Sequence, residues 1–215
     1  QLAHLKETDW KKIRAYYYAL SAHVDHCIGS ILNTLDQNGK NTIVIFTTDH
    51  GEYLGDHGRI QKGMPGHDCI TRVPFIIRYP EKIPAGKEIK DLTEAVDFVP
   101  TMLDFAGIQI PSFIQGKSLK PLLENKSSSP LRDDILIEHF APGEKREITV
   151  KTAEYMYYCN SGGKELLFDR KKDPDEITDV SAEMVYRSAL ADMRKRMIVR
   201  MQNSAWNNQE RIVQY

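Results

Sequence analysis

Thr42-Ile-Val-Ile-Phe-Thr-Thr-Asp-His-Gly51 is a short apolar run that stops at a carboxylate and an imidazole. Residues Ile43 to Thr47 are all β-branched or aromatic, which suits a strand buried on both faces, and Asp49-His50 falls where that strand ends. In open α/β sheets, ligands bind at the carboxyl ends of strands. A divalent cation takes anionic oxygen and neutral imidazole nitrogen, so adjacent residues in a non-extended loop can turn both towards one ion. By itself the tripeptide Asp-His-Gly fits either metal ligation or a plain turn or helix cap.

Upstream of this run, Trp10, Ile13, Tyr17, Leu20, Val24, Cys27 or Ile28, Ile31 and Leu35 recur at spacings of three and four. That spacing predicts an amphipathic helix over 8–37, started by Thr8 or Asp9 and ended by Gly39. His23, Asp25 and His26 within it read as a solvated face or local polar contacts. The order helix, tight turn, strand is that of an α/β unit.

Downstream, the loop from Gly51 to Gly66 holds five glycines and lets the backbone approach a ligand closely. Val73-Pro-Phe-Ile-Ile-Arg-Tyr79 is a second apolar strand, bounded by Pro74 and Pro80. Both strands read as members of a parallel sheet covered on both faces. A short exposed strand is expected over 89–93, and a helix from Asp97 to Phe105, with Pro100 in its first turn and Gly107 at its end.

Asn125-Lys-Ser-Ser-Ser-Pro130 is the best linker candidate. Beyond it the pattern changes to four short β-type segments, 135–140, 147–152, 155–159 and 165–169, whose turns, notably Ser161-Gly-Gly163, predict an antiparallel meander. A helix over 182–201 follows, with Met184 or Val185, Leu190, Met193, Met197 and Met201 packing into a core, and 203–215 reads as a polar tail.

The composition excludes several classes. Basic and acidic residues number 29 and 30, so nothing favours nucleic acid or an anionic membrane as partner. No apolar run approaches the roughly 20 residues of a membrane span. Cys27, Cys69 and Cys159 cannot all pair with one another and lack metal-type spacing. A doubly covered parallel sheet needs more than two strands, and the sequence opens at Gln1 without a leader. The expectation is therefore the carboxyl-terminal part of a larger enzyme; the other reading is a sheet completed by a second chain.

Several stretches in fixed order carry a resemblance. Tyr16-Tyr-Tyr-Ala-Leu20, Val24-Asp25, Ile28-Gly29 and Asn41-Thr-Ile-Val-Ile-Phe-Thr-Thr-Asp-His-Gly-Glu-Tyr-Leu-Gly-Asp-His-Gly58 together resemble the second half of a sulfatase of the alkaline phosphatase superfamily. Lys62, Arg72-Val-Pro-Phe75, Asp97-Phe-Val-Pro-Thr101, Gly116-Lys-Ser-Leu119, Lys164-Glu-Leu-Leu-Phe-Asp169 and Asp173-Pro-Asp-Glu176 continue it in register. The fold implied is α/β: part of an alkaline-phosphatase-like sheet sandwiched by helices, then a small antiparallel sheet with a packed C-terminal helix. Residues 1–126 would be the carboxyl-terminal portion of the catalytic domain and 127–215 the antiparallel-sheet subdomain.

The resemblance also implies roles. Asp49 and His50 fall on two consecutive metal ligands, for Ca²⁺ foremost; His50, where many members carry Asn, also suits Zn²⁺ or Mn²⁺ and the superfamily's phosphonate and phosphodiester hydrolases. Lys62 matches a lysine that contacts the sulfate, and His67, beside Asp68, either contacts substrate and assists proton transfer or packs. His57 is expected to shape the loop. The formylglycine nucleophile of such enzymes belongs to the missing N-terminal half, since none of the three cysteines lies in a C-x-P-x-R setting. Ser128-Ser-Pro-Leu-Arg132 fits the serine pattern only by chance, being downstream of the metal ligands.

The activity implied is hydrolysis of a sulfate ester, on a small molecule or glycan, to alcohol and sulfate, with this chain inactive alone. The alternatives are a phosphonate or phosphodiester hydrolase of the same superfamily, or a non-catalytic binding module. Members are commonly periplasmic, secreted or lysosomal. The loops 141–146 and 160–163 are expected to border the site and select the alcohol.

Overall fold

The computed structural model describes residues 2, 4–39, 41–127, 129–140, 143 and 145–205. Its elements are α1 (Glu7–Asn38), β1 (Val44–Thr47), α2 (Asp68–Thr71), β2 (Phe75–Arg78), α3 (Phe98–Phe105), α4 (Lys120–Leu123), β3 (Ile135–His139), β4 (Glu147–Lys151), β5 (Tyr155–Asn160), β6 (Glu165–Asp169) and α5 (Arg187–Ala205). The described residues fall into two units, one within 1–63 and 69–85, the other within 64–68 and 86–215. Among the described residues no helix is long and apolar enough to cross a membrane.

In the first unit, α1 begins two or three residues earlier than the expected caps Thr8 or Asp9 suggest. Lys6 is the cap, and the Asp9 carboxylate accepts the Lys6 N–H at 2.9 Å, closing the first turn from inside the helix. Gly39 ends it, donating its N–H to the Leu35 carbonyl at 2.6 Å. The predicted apolar face is present, but α1 has no buried residue, and Tyr16 and Ile31 are 74% and 66% exposed. Periodicity shows that a helix has an apolar side; what covers that side lies outside the periodicity.

Strands β1 and β2 form a two-stranded sheet, and here the expectation of parallel strands is corrected. They pair antiparallel, from Val44 opposite Arg78 to Thr47 opposite Phe75. Runs of β-branched residues report extended backbone and burial, and carry no information about strand direction. Double burial is not found either: Phe46 and Ile76 stay exposed. Arg78 ties the sheet to α1 through Asp36, at 2.8 Å.

In the second unit no strand forms over 89–93; the Leu92 carbonyl instead accepts a hydrogen bond from Arg132. Helix α3 ends as predicted at Phe105, with Gly107 at φ +70°, the left-handed conformation that glycine adopts without strain. Strands β3 to β6 form the predicted meander in the order β3-β4-β5-β6, all antiparallel. The alternation of side chains gives it two packed faces, one apolar and one mixed.

One face, with Val150, Tyr157 and Leu167, packs on Leu190 and Met193 of α5 and on Val180 and Tyr186. Arg194 fixes α5 further by bonding Glu165, which also accepts the Tyr157 hydroxyl. Of the predicted methionine stripe, Met193 is buried and Met197 packs at the core's edge, whereas Met184 and Val185 are exposed. They sit on a 3₁₀ turn ahead of the helix, where the 3.6-residue period no longer applies. The other face, with Thr149, Lys151, Met156 and Phe168, is covered by the 64–68 segment: Thr149 donates to the Pro65 carbonyl at 2.5 Å and the His67 ring meets Phe168 edge-on at 5.4 Å.

Leu167 is fully buried at the centre of this core. Leu167→Ala is expected to cost about 2–5 kcal/mol, read as a lower urea midpoint at unchanged slope in the intact protein.

Candidate active site

Strand β1 ends at Thr47, and the next residues turn polar side chains outward. Asp49 accepts bonds on Oδ1 from the Thr48 hydroxyl at 3.2 Å and the His50 N–H at 3.0 Å. Desolvation works against ionisation of this carboxyl, but the His50 amide and imidazole and the Thr48 hydroxyl outweigh it and hold its pKa below the ordinary value. His50 Nδ1 lies 2.7 Å from the Gly51 carbonyl oxygen. A carbonyl only accepts, so Nδ1 carries the hydrogen and, in the neutral ring, Nε2 keeps its lone pair.

That Nε2 stands 3.4 Å from Asp49 Oδ2. Two donors on a tetrahedral zinc at about 2.0–2.1 Å are roughly 3.3–3.4 Å apart, and neighbouring donors on calcium at about 2.4 Å are roughly 3.4 Å apart. The pair therefore fits one divalent ion of either kind, with the tautomer a metal-binding imidazole needs. Among the described residues no group of three or more histidine, cysteine, aspartate or glutamate side chains is placed to hold a metal, so the pair is a partial donor set.

The loop after it is folded on itself. Gly51 donates to the Ile70 carbonyl at 2.7 Å, and a Cβ at Gly51 would lie 2.0 Å from the Cys69 carbonyl oxygen, so glycine here is a packing requirement. His57 has φ +53° in the 3₁₀ turn Asp56–Gly58 and meets Tyr53 edge-on at 5.9 Å, consistent with a loop-shaping residue. Lys62 is exposed and makes no ion pair with any described residue.

Asp49, His50 and Lys62 belong to the first unit and His67 to the second. His67 is 5% exposed, with Nδ1 3.3 Å from Glu176 Oε2, and since a carboxylate only accepts, His67 is the donor. Glu176 also accepts the Asp68 N–H at 2.9 Å. Lys151, itself 1% exposed, bonds Asp68 at 2.6 Å and Glu176 at 3.3 Å, and Arg170 bonds the same two carboxylates at 2.7 and 3.1 Å.

This buried cluster was not predicted. Nothing in the sequence marks Lys151, within a short β-type segment, as buried, and the one signal for Glu176 is its place in the Asp173-Pro-Asp-Glu176 stretch of the resemblance. Asp97 has a similar character: it is 0% exposed and accepts bonds from Glu94 N–H, Lys117 N–H and the Arg132 guanidinium. Arg132 is thus committed to a buried pair with Asp97; Ser128, of the Ser128-Ser-Pro-Leu-Arg132 stretch, lies outside the described residues. The loop 141–146 lies partly outside them too.

Comparison with known proteins gives this fold a class. The chain is 38% identical over 194 residues to an arylsulfatase of Clostridium perfringens, covering 87% of this chain and 40% of that protein. It is 38% identical over 180 residues to an N-acetylglucosamine-6-O-sulfatase of Bacteroides thetaiotaomicron, covering 79% and 32%. A solved structure in complex with D-glucosamine-2-N,6-O-disulfate superimposes with a TM-score of 0.79 at 32% identity, covering 88% and 40%. The phosphonate monoester hydrolase of Agrobacterium radiobacter does so with a TM-score of 0.85 at 30% identity, covering 93% and 43%.

The architecture is that of the alkaline-phosphatase-like sulfatases. Residues 55–203 match the family described as N-sulphoglucosamine sulphohydrolase, C-terminal, and the chain belongs to that family. It spans about two fifths or less of the length of these curated relatives.

The buried cluster makes stability depend on pH. Burial opposes ionisation of Asp68 and Glu176, but Lys151 at the first, and His67 and Lys151 at the second, outweigh it and depress both pKa values. Carboxyls that ionise more readily when folded contribute fully above their ordinary values of 3.8 and 4.5, and that contribution is lost as pH falls through the lower folded values. The urea midpoint is expected to fall between pH 5 and pH 3, and to fall less in Glu176→Gln, which starts from a lower midpoint at pH 7.

Proposed function

We propose that this chain forms the carboxyl-terminal half of a sulfatase that hydrolyses a sulfate ester on an amino sugar or a related glycan. The observation that carries the reading is the strand-end pair: an exposed carboxylate and an imidazole 3.4 Å apart, the latter with Nδ1 already spent on a carbonyl. The substrate class rests on what the relatives act on or hold, 6-O-sulfated N-acetylglucosamine in one and a disulfated glucosamine in another.

In this reading Asp49 and His50 are two ligands of a divalent cation, Ca²⁺ foremost, with Zn²⁺ or Mn²⁺ as the transition-metal options that imidazole favours. When bound, that ion supplies Lewis-acid neutralisation of the sulfate oxygens. Lys62 places a full positive charge, unpaired within the described residues, for the negative charge that grows on the ester's oxygens as the S–O bond breaks. His67 is the remaining candidate of the resemblance, and its Nδ1 is donated to Glu176. The formylglycine nucleophile would come from the part of the enzyme that precedes this chain, and this chain alone is expected to turn over no aryl sulfate.

A second reading is favoured by His50 and by the similarity to the phosphonate monoester hydrolase. Matched sulfate and phosphonate esters assayed on the full-length enzyme separate the two: the sulfatase reading expects the higher kcat/KM on the sulfate ester, and the reverse order overturns it. Lys62→Ala is expected to lower kcat/KM on the preferred ester by about 10²–10³-fold, with Tm unchanged because the side chain is exposed and makes no described ion pair. Asp49→Asn is expected to lower the bound metal, measured by elemental analysis of the purified protein.

A further inference from the structure

The residues on either side of Lys62, Gln61 and Gly63, are held by the two residues that follow the Asp49-His50-Gly51 strand end. On its amino side, the Glu52 carboxylate accepts the Gln61 N–H together with the Leu54 N–H, and the Tyr53 N–H donates to the Gln61 carbonyl at 3.0 Å. On its carboxyl side, the Tyr53 hydroxyl donates to the Gly63 carbonyl at 3.1 Å. Gln61 has φ +64°, a left-handed conformation that a non-glycine residue keeps only where its surroundings enforce it.

The clamp has its own support. Tyr53 is 0% exposed, and Arg59 both donates to its hydroxyl at 3.1 Å and lies over its ring at 4.5 Å. A Cβ at Gly63 would come within 2.9 Å of that guanidinium. Arg14 of α1 backs the loop by donating to the Leu54 carbonyl at 3.4 Å. Lys62 itself is exposed and has no ionic partner among the described residues, so the fold fixes the root of the side chain and leaves its tip available.

We propose that Tyr53 and Glu52 are positioning residues for Lys62, setting where its ammonium stands relative to the Asp49–His50 pair. The proposal rests on the reading of Lys62 as the sulfate-binding cation. An electrostatic contact that acts on developing charge loses most of its effect when misplaced by about an ångström, and lysine has four rotatable bonds to restrict. Anchoring both flanking peptides removes the backbone's share of that freedom. The hydroxyl of Tyr53 is the critical group, since it bonds the Gly63 carbonyl.

The test is a double-mutant cycle in the full-length enzyme, with sulfate-ester turnover and Tm measured for each variant. Tyr53→Phe keeps the ring and removes the hydroxyl, and is expected to lower kcat/KM about tenfold in the wild-type background and less than twofold in Lys62→Ala. Glu52→Ala gives a second cycle with the same expectation should Tyr53→Phe fold poorly. Equal losses with and without Lys62 in either cycle, or a silent Tyr53→Phe, overturn the positioning role while leaving Lys62's assignment standing. A fully active Lys62→Ala overturns that assignment and the proposal with it.

Discussion

A buried lysine and a half-buried arginine, held between two carboxylates, organise the second unit. Removing Lys151, Glu176 and most of Asp68 from water is costly, and the cost is offset only because every partner is in place: each carboxylate meets both Lys151 and Arg170, and Glu176 takes the His67 and Asp68 hydrogens besides. Such an arrangement is all-or-none, since removing one member leaves an uncompensated buried charge. It joins a strand residue, a turn residue at φ +55° and a short segment far away in sequence, and so fixes the register of the 64–68 segment on the meander more sharply than apolar contact alone.

The same division of labour runs through the stretches that carry the family resemblance. Asp97, inside Asp97-Phe-Val-Pro-Thr101, holds Arg132 and the backbone of Lys117, while Thr101 accepts the Leu119 N–H at 2.9 Å. Gly116 is required because a Cβ would fall 1.9 Å from the Val96 carbonyl oxygen. These motifs are architectural joints.

Much of this was legible in the sequence where one rule acts locally. The meander follows from alternating short strands and turn residues, the ends of α1 and α3 from glycine, and the strand-end pair from a polarity change after an apolar run. What escaped depends on partners distant in the chain. The direction of β1 against β2 is a property of pairing, and an apolar run reads alike in either direction. Lys151 and Glu176 carry no local mark of burial, because a charge becomes buried only through groups that arrive from 83 and 108 residues away. The clamp on Lys62 is likewise invisible, since tyrosine and glutamate after a glycine are unremarkable residues until the loop closes.

Gly51 shows how a short motif can mix two kinds of necessity. Asp49 and His50 offer donor atoms, whereas Gly51 offers only the absence of one carbon, in a space 2.0 Å from the Cys69 oxygen. On the proposed reading of 49 and 50 as ligands, replacements at 51 in a saturation library scored by turnover would drop out beside those at 49 and 50 and would look like losses of a ligand. Scored by yield of soluble protein, the three positions part company: 51 fails early, and the other two survive as folded, silent molecules. The tripeptide is therefore two chemical letters followed by a steric one.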